Sequence, residues 1–217
     1  DGGNNDFPFF KPDLHITVVD PYRVGHELTY FPGEVNLILA DIVVINKVDT
    51  APKENIDAVI KNIRMRNSKA QIVFAKSPIR SETEEDIEGK KVLVIEDGPT
   101  VTHGEMSFGA GYFYAKERKA IIVDPRPYAL GSIKKAYEDY PHLKEVLPAL
   151  GYNKEQLKEL EETINKIECD YVIIGTPVDL RRLINIKQKT IKIFYSYEDK
   201  SIPTLKSLIE DWWKTKS

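Results

Sequence analysis

Three polar residues stand at a fixed spacing directly after an apolar run: Asn46, Lys47 and Asp49. An aspartate carboxylate accepts two hydrogen bonds from the N1–H and the exocyclic amine of guanine, and adenine cannot supply that pair. A site built around this pair leaves buried acceptors unpaired when the wrong base enters, which costs several kcal/mol. The spacing therefore predicts that these three residues contact a guanine base. The alternative is a helix cap, with Lys47 and Asp49 in solvent.

The chain continues with a predicted helix and strand, after which Ala75-Lys76-Ser77 follows. This position matches the second base-contacting loop of GTP-binding proteins, although the order of residues differs from the frequent Ser-Ala-Lys, and it predicts a nucleotide contact for Ser77. The loop G-x-x-x-x-G-K-[ST], whose backbone holds nucleotide phosphates, does not occur in the 217 residues. The sequence thus carries the base-reading half of a nucleotide site without the phosphate-holding half.

Two further segments of the first part of the chain carry groups suited to phosphate chemistry. Asp1-Gly2-Gly3 resembles the metal-side motif of P-loop proteins, in which the aspartate holds Mg²⁺ directly or through water. The alternative is a flexible terminus. In the loop after residues 14–20, Arg23 is predicted to bind a phosphate or carboxylate and His26 to bind phosphate or move protons. An exposed loop histidine without a catalytic role is the alternative for His26.

The second part of the chain contains a glycine-rich stretch with candidates for substrate binding: Thr102, His103 and Gly104. Its backbone N–H groups are suited to an anion if a helix begins near Gly109–Gly111. The alternative is a tight packing turn between a strand and a helix. Arg126, after another strand, is a second candidate anion ligand. In this interpretation, these residues hold a small anion.

Composition limits the partners and the compartment. The net charge of −3 gives no support for nucleic-acid binding. The single cysteine, Cys169, excludes an internal disulfide and fits a reducing cytoplasm, and no apolar run of about 18 residues predicts a membrane span. The charged residues are mostly Lys and Glu, which is compatible with a thermophile. Trp212 and Trp213 are expected in helix packing or in an interface of a homo-oligomer.

Apolar runs alternate with helical spacing throughout, which predicts an α/β fold with a mostly parallel sheet. We expect residues 1–80 to form the C-terminal part of a P-loop NTPase-like core, residues 81–90 a linker, and residues 91–217 a second α/β segment that binds substrate. A loop such as DGGNND directly before a buried strand also suggests a fragment whose upstream part is missing. On that reading the chain alone turns over no nucleotide, because the phosphate cradle is absent.

Several long motifs together resemble one family: the archaeal and bacterial predicted GTPases grouped with cyclic 2,3-diphosphoglycerate synthetase. The resemblance rests on GHELTYFPGEVNL, ADIVVINKVDTA, VLVIEDGPTVTHGEMSFGAG, VDPRPYALGSI and IGTPVDLRR, with DGGNNDFPFFKPDLHITVVDP before them. It covers nearly the whole chain up to about residue 197, as the C-terminal half of such proteins. In the family a P-loop lies upstream of the DGGNND segment.

The resemblance implies phosphoryl transfer with Mg²⁺ and GTP or ATP as cofactors. The synthetase uses ATP to phosphorylate a carboxylate of 2,3-diphosphoglycerate, after which a phosphate of the same molecule closes a cyclic anhydride. By motif position, Asp1 would lie near Mg²⁺, and Asn46, Lys47 and Asp49 near the base. The guanine-type signature and an ATP-dependent synthetase disagree, so two alternatives stay open: a regulatory GTPase module, and a non-catalytic anion-binding α/β protein.

Overall fold

The computed structural model describes residues 6–29, 32–104, 106–151 and 153–216. The strands are β1 Ile16–Val19, β2 Ile42–Ile45, β3 Gln71–Lys76, β4 Ile79–Ser81, β5 Lys91–Asp97, β6 Ile121–Ile122, β7 Leu147–Ala149, β8 Tyr171–Ile174, β9 Lys189–Tyr195 and β10 Glu198–Asp199. The α-helices are α1 His26–Thr29, α2 Gly33–Leu39, α3 Lys53–Arg66, α4 Gly98–Val101, α5 Ala110–Glu117, α6 Gly131–Asp139, α7 Lys154–Lys166 and α8 Leu205–Lys214. Short 3₁₀ turns cover Pro21–Arg23, Arg126–Tyr128 and Leu180–Arg182. Within the described ranges, none of the helices combines the length and apolar character needed to cross a bilayer.

The chain divides into two compact units, and the division differs from the predicted segments in two places. Unit 1 runs to Pro78 and resumes at Ser196, and unit 2 is Ile79–Tyr195. Residues 81–90, predicted as a linker, lie inside unit 2, where Ile87 is buried in the core. Helix α8, predicted to belong to the second segment, is part of unit 1. A local polar composition cannot reveal either feature, because both depend on contacts between distant parts of the chain.

Unit 1 is built on a sheet in the order β1-β2-β3-β10, parallel except for β10. All four residues of β2 are buried because helices cover both faces of the strand. Val43 and Ile45 pack with residues of α2 and α3 on one face. Ile42 and Val44 pack on the other face, where Leu205 and Leu208 of α8 close the layer. Burial on both faces explains why this strand is apolar at every position.

Unit 2 is built on a sheet in the order β4-β9-β8-β5-β6, with β7 paired to the C-terminal half of β5. Strand β4 is antiparallel to β9, and the other pairs are parallel. The side chains of β5 alternate between two cores: Val92 and Val94 face one side, and Leu93 and Ile95 face the other. The predicted α/β class with mostly parallel strands is thereby confirmed.

One predicted strand is much shorter than the sequence suggests. The strand predicted before Arg126, in segment 120–127, forms only the two-residue strand β6, and a 3₁₀ turn follows at Arg126–Tyr128. Pro125 and Pro127 have no backbone N–H to donate to a sheet ladder, so the pairing stops before them.

Candidate nucleotide-binding site

The loop Asn46–Asp49 begins where the central strand β2 ends. The side-chain oxygen of Asn46 accepts a hydrogen bond from the Lys47 amide at 2.9 Å. Lys47 has φ +58°, the left-handed region that is costly for a residue with a Cβ. Its carbonyl accepts from the amides of Thr50 and Ala51 at 3.2 and 2.9 Å. These bonds hold the loop in a sharp turn at the carboxyl end of the sheet, where ligands bind in open α/β folds.

Asp49 lies exposed in this loop. Its carboxylate has no hydrogen-bond or ion-pair partner within the part of the chain that the structure describes. A carboxylate with unused acceptors is what a guanine N1–H and amine would require. A solvated aspartate in a turn would have the same geometry, so the contact between Asp49 and a base stays a prediction.

The structure brings Ser77 to the same edge of the sheet. Strands β2 and β3 are parallel, with Ile45 opposite Phe74, so their following loops leave the sheet side by side. The Val48 amide donates to the Ala75 carbonyl at 3.1 Å and joins the loop after β2 to the end of β3. Ser77 follows Ala75 by two residues and is half-buried. The two predicted base-contacting loops are therefore neighbours in unit 1.

The predicted catalytic residues lie at the end of the adjacent strand β1. A cavity of about 440 Å³ runs along β1, and Arg23 and His26 line it together with Asp20 and Glu27. Glu27 is buried: its two oxygens accept from the Gly25 amide at 2.9 Å and from the Asn62 side chain at 2.7 Å, which ties α1 to α3. Asp1, the predicted magnesium ligand, lies outside the described residues.

Two carboxylates of this cavity, Asp20 and Glu27, are already engaged within the protein. One oxygen of Asp20 accepts from the Lys47 ammonium at 2.6 Å, and both oxygens of Glu27 are bonded within the protein. Across residues 6–29, 32–104, 106–151 and 153–216, no group of three or more His, Cys, Asp or Glu side chains is arranged to hold a metal.

Unit 2 does not gather its predicted substrate ligands at one free site. The Thr102 side chain is buried, and its hydroxyl donates to the Gly98 carbonyl at 2.7 Å. His103 is exposed, and its Nδ1 lies 3.1 Å from the Tyr140 hydroxyl. The Gly104 amide donates to the Pro99 carbonyl at 2.8 Å. Each of these groups already has a partner close to it in sequence or in space.

Arg126 is exposed and paired with a residue of its own loop. Its Nε and Nη2 donate to the two oxygens of Asp124 at 2.9 and 2.7 Å. The guanidinium holds the pKa of the Asp124 carboxyl below its ordinary value, mainly through this hydrogen bond. An anionic ligand would have to compete with Asp124 for Arg126.

The glycine-rich stretch encloses a carboxyl group of the chain itself, that of Glu96. Helix α5 begins at Ala110 after Gly109, and the Glu96 carboxylate lies at its N-terminus. The amides of Tyr112, Gly109 and Gly111 donate to this carboxylate, the Tyr112 bond measuring 2.8 Å. Glu96 is only 2% exposed. Burial outweighs the three hydrogen bonds and raises the pKa of Glu96 to about 7.

Sequence reasoning missed Glu96 and a second buried charged residue, Lys192. Lys192 lies on β9, and its ammonium donates to the carbonyls of Thr176 and Val178 in the loop after β8. Burial lowers the pKa of Lys192. The available signal for both residues is a charged side chain inside or at the end of a strand that is otherwise apolar. Such a charge is rarely buried without a specific partner.

Comparisons with known proteins find one family model that matches part of unit 1 and two similar relatives. Residues 7–74 match the family described as CobW/HypB/UreG, nucleotide-binding domain. The chain is 54% identical over 215 residues to a Thermococcus kodakarensis protein named arginine synthetase ArcE, which covers 99% of the chain and 48% of the relative. It is 34% identical over 103 residues to a cyclic 2,3-diphosphoglycerate synthetase of Thermococcus sibiricus, covering 46% of the chain and 22% of that relative.

The chain thus spans about half the length of the arginine synthetase that it matches. It is homologous to synthetases, and the part that matches the nucleotide-binding family contains Asn46, Lys47 and Asp49. The expected likeness to cyclic 2,3-diphosphoglycerate synthetase is confirmed at the level of a partial match. The longer of the two matches, over 215 residues, is to the protein named arginine synthetase ArcE.

Proposed function

We propose that this chain is the base-reading part of a nucleotide-dependent synthetase and that the whole natural polypeptide forms arginine. The observation that carries the proposal is the loop Asn46–Asp49, a signature for guanine at the end of the central strand of the matched domain. The name of the relative that matches 99% of the chain supplies the product. The proposal places the protein in the cytoplasm, with Mg²⁺ and GTP or ATP as cofactors.

In this proposal the residues of unit 1 have separate roles. Asp49 accepts from the Watson–Crick edge of guanine, while Asn46 and Lys47 shape the loop and Ser77 completes the base pocket. Arg23, in the cavity beside β1, donates to the oxygens of a transferred phosphoryl group, and His26 moves a proton there. A fixed guanidinium stabilises the charge that develops during phosphoryl transfer, which is what activation of an acceptor in a synthetase requires.

A variant of Asp49 tests the base-reading role. We expect Asp49→Asn in the whole natural polypeptide to weaken GTP binding about 100-fold and to improve XTP binding, because an amide presents a donor where guanine also presents one. Competition binding against labelled GTP measures both changes. Asp57→Asn is a matched control, since Asp57 is an exposed aspartate on α3 of the same unit. Equal GTP affinities for Asp49→Asn and the control would contradict the proposal.

A second candidate function is synthesis of a cyclic diphosphoglycerate. The partial match to cyclic 2,3-diphosphoglycerate synthetase favours it. Thr102, His103, Gly104 and Arg126 are then the proposed ligands of the phosphorylated metabolite. Calorimetric titration of the whole natural polypeptide with arginine and with 2,3-diphosphoglycerate distinguishes the two functions. Binding of arginine with no heat from 2,3-diphosphoglycerate is the expected result.

A further inference from the structure

Asp20, the residue directly after β1, uses its two carboxylate oxygens for different parts of unit 1. Oδ1 accepts from the Tyr22 amide at 3.0 Å and caps the turn Pro21–Arg23. Oδ2 accepts from the Lys47 ammonium at 2.6 Å. The cap fixes the turn that carries Arg23 beside the cavity, and the ion pair fixes a side chain of the base-reading loop. One carboxylate therefore contacts both halves of the proposed site.

Two other hydrogen bonds join the same segments. The Tyr22 hydroxyl donates to the Thr50 carbonyl at 2.7 Å, and the Asn55 side chain donates to the Pro21 carbonyl at 3.0 Å. These bonds align the turn after β1 with the turn after β2, but neither touches a side chain of the signature Asn46–Asp49. The Asp20–Lys47 pair engages a side chain of the signature itself.

Lys47 is held at both its ends. The Asn46 side chain fixes its amide in the left-handed region, and Asp20 fixes its ammonium. The Lys47 and Asp20 side chains are 31% and 20% exposed, so solvent screens the pair less than it screens a fully exposed one. Without Asp20, the four-carbon stem of Lys47 would be free to sample many rotamers beside the base.

We propose that Asp20 is a positioning residue for base recognition that acts through Lys47. The inference rests on the proposed base-reading role of the loop. It adds a residue, outside the four-residue signature, that sets how strongly guanine is preferred over adenine. Because the same carboxylate caps the turn of Arg23, Asp20 also links the base-reading loop to the cavity beside β1.

The variant Asp20→Asn tests this inference, because asparagine keeps an oxygen for the Tyr22 amide and loses the ion pair. In the whole natural polypeptide, we expect it to lower the ratio of GTP affinity to ATP affinity about tenfold, measured by competition binding. The variants Lys47→Ala and Asp20→Asn with Lys47→Ala complete a double-mutant cycle. If Asp20 acts through Lys47, the double variant discriminates no worse than Lys47→Ala alone.

The control is Arg66→Gln, which breaks the Arg66–Glu34 ion pair of 2.9 Å in the same unit. We expect it to leave the affinity ratio unchanged, and melting curves show whether each variant is folded. Either of two results would overturn this inference and leave the proposed base reading intact. One is an unchanged ratio of GTP affinity to ATP affinity in folded Asp20→Asn. The other is a double variant in which the losses of the two single variants add. A wild-type protein with no preference for GTP over ATP would overturn the proposed base reading together with this inference.

Discussion

The polar residues at the strand ends of the two units differ in their exposure and in their hydrogen bonding. At the end of β2 in unit 1, Asp49 is exposed, with no partner in the described part of the chain, and Lys47 is half-buried in an ion pair. At the end of β5 in unit 2, Glu96 is buried and bonded to three backbone amides. Asp97, the next residue, caps α4 by accepting from the Thr100 amide. Polar groups that the chain satisfies itself brace the fold, and those left with unused acceptors are the ones a ligand can use.

The largest expected effect comes from filling the space around Glu96. A Cβ on Gly175 would lie 2.5 Å from Glu96 Oε2 and 3.1 Å from both the Ile95 carbonyl oxygen and the Gly111 nitrogen. Backbone atoms cannot move aside as a surface side chain can, so we expect Gly175→Ala to lower the free energy of unfolding by about 3 kcal/mol. Urea titration of the chain measures the loss.

Gly89→Ala is the control for that substitution. Gly89 has φ +67° and nothing near its Cβ position, so alanine there adds backbone strain alone, at a cost of about 1 kcal/mol. If Gly175→Ala destabilises the chain no more than Gly89→Ala, the buried carboxylate is not tightly enclosed, and the contrast between the two strand ends fails.

The buried Glu96 also predicts an unusual dependence of stability on pH. Its pKa is raised from 4.5 to about 7 in the folded chain, so the folded state keeps a proton that the unfolded state has released. The free energy of unfolding therefore falls as pH rises from about 4.5 to 7, by about 3 kcal/mol at most. Glu96→Gln removes this fall, and urea titrations at several pH values measure the difference between the variant and the wild type.

Asp179→Asn provides a control of opposite sign. The Arg181 guanidinium lowers the pKa of the Asp179 carboxyl, mainly through a direct hydrogen bond. Asp179 therefore contributes stability that is present at neutral pH and is lost as pH falls through the lowered pKa. If the free energies of unfolding of Glu96→Gln and the wild type changed in parallel between pH 4.5 and 7, the pKa of Glu96 would be the same in the folded and unfolded states. That result would contradict the prediction.

The sequence predicts the framework of both units but not the contacts that define the candidate site. Strands β1, β2, β3, β5, β8 and β9 are apolar runs bounded by turn residues, and helices α3, α7 and α8 have clear apolar spacing. Strands of two or three residues such as β4 and β10 carry too little pattern to detect. The Asp20–Lys47 pair joins residues 27 positions apart, and only the parallel pairing of β1 with β2 brings them together.

The smallest expected effect concerns Asp124–Arg126, the strand-end pair of unit 2 in which both side chains are substantially exposed. Exposed pairs contribute less than about 1 kcal/mol, so we expect Arg126→Gln and Asp124→Asn each to change the free energy of unfolding by no more than that.

The two variants differ in anion binding. Arg126→Gln removes the proposed ligand, whereas Asp124→Asn frees its guanidinium, so the affinity for inorganic phosphate, measured by calorimetry, should fall about threefold in the first and rise about threefold in the second. Changes in the same direction in both variants would mean that the pair only braces its loop, and that unit 2 satisfies its charges internally at this strand end too.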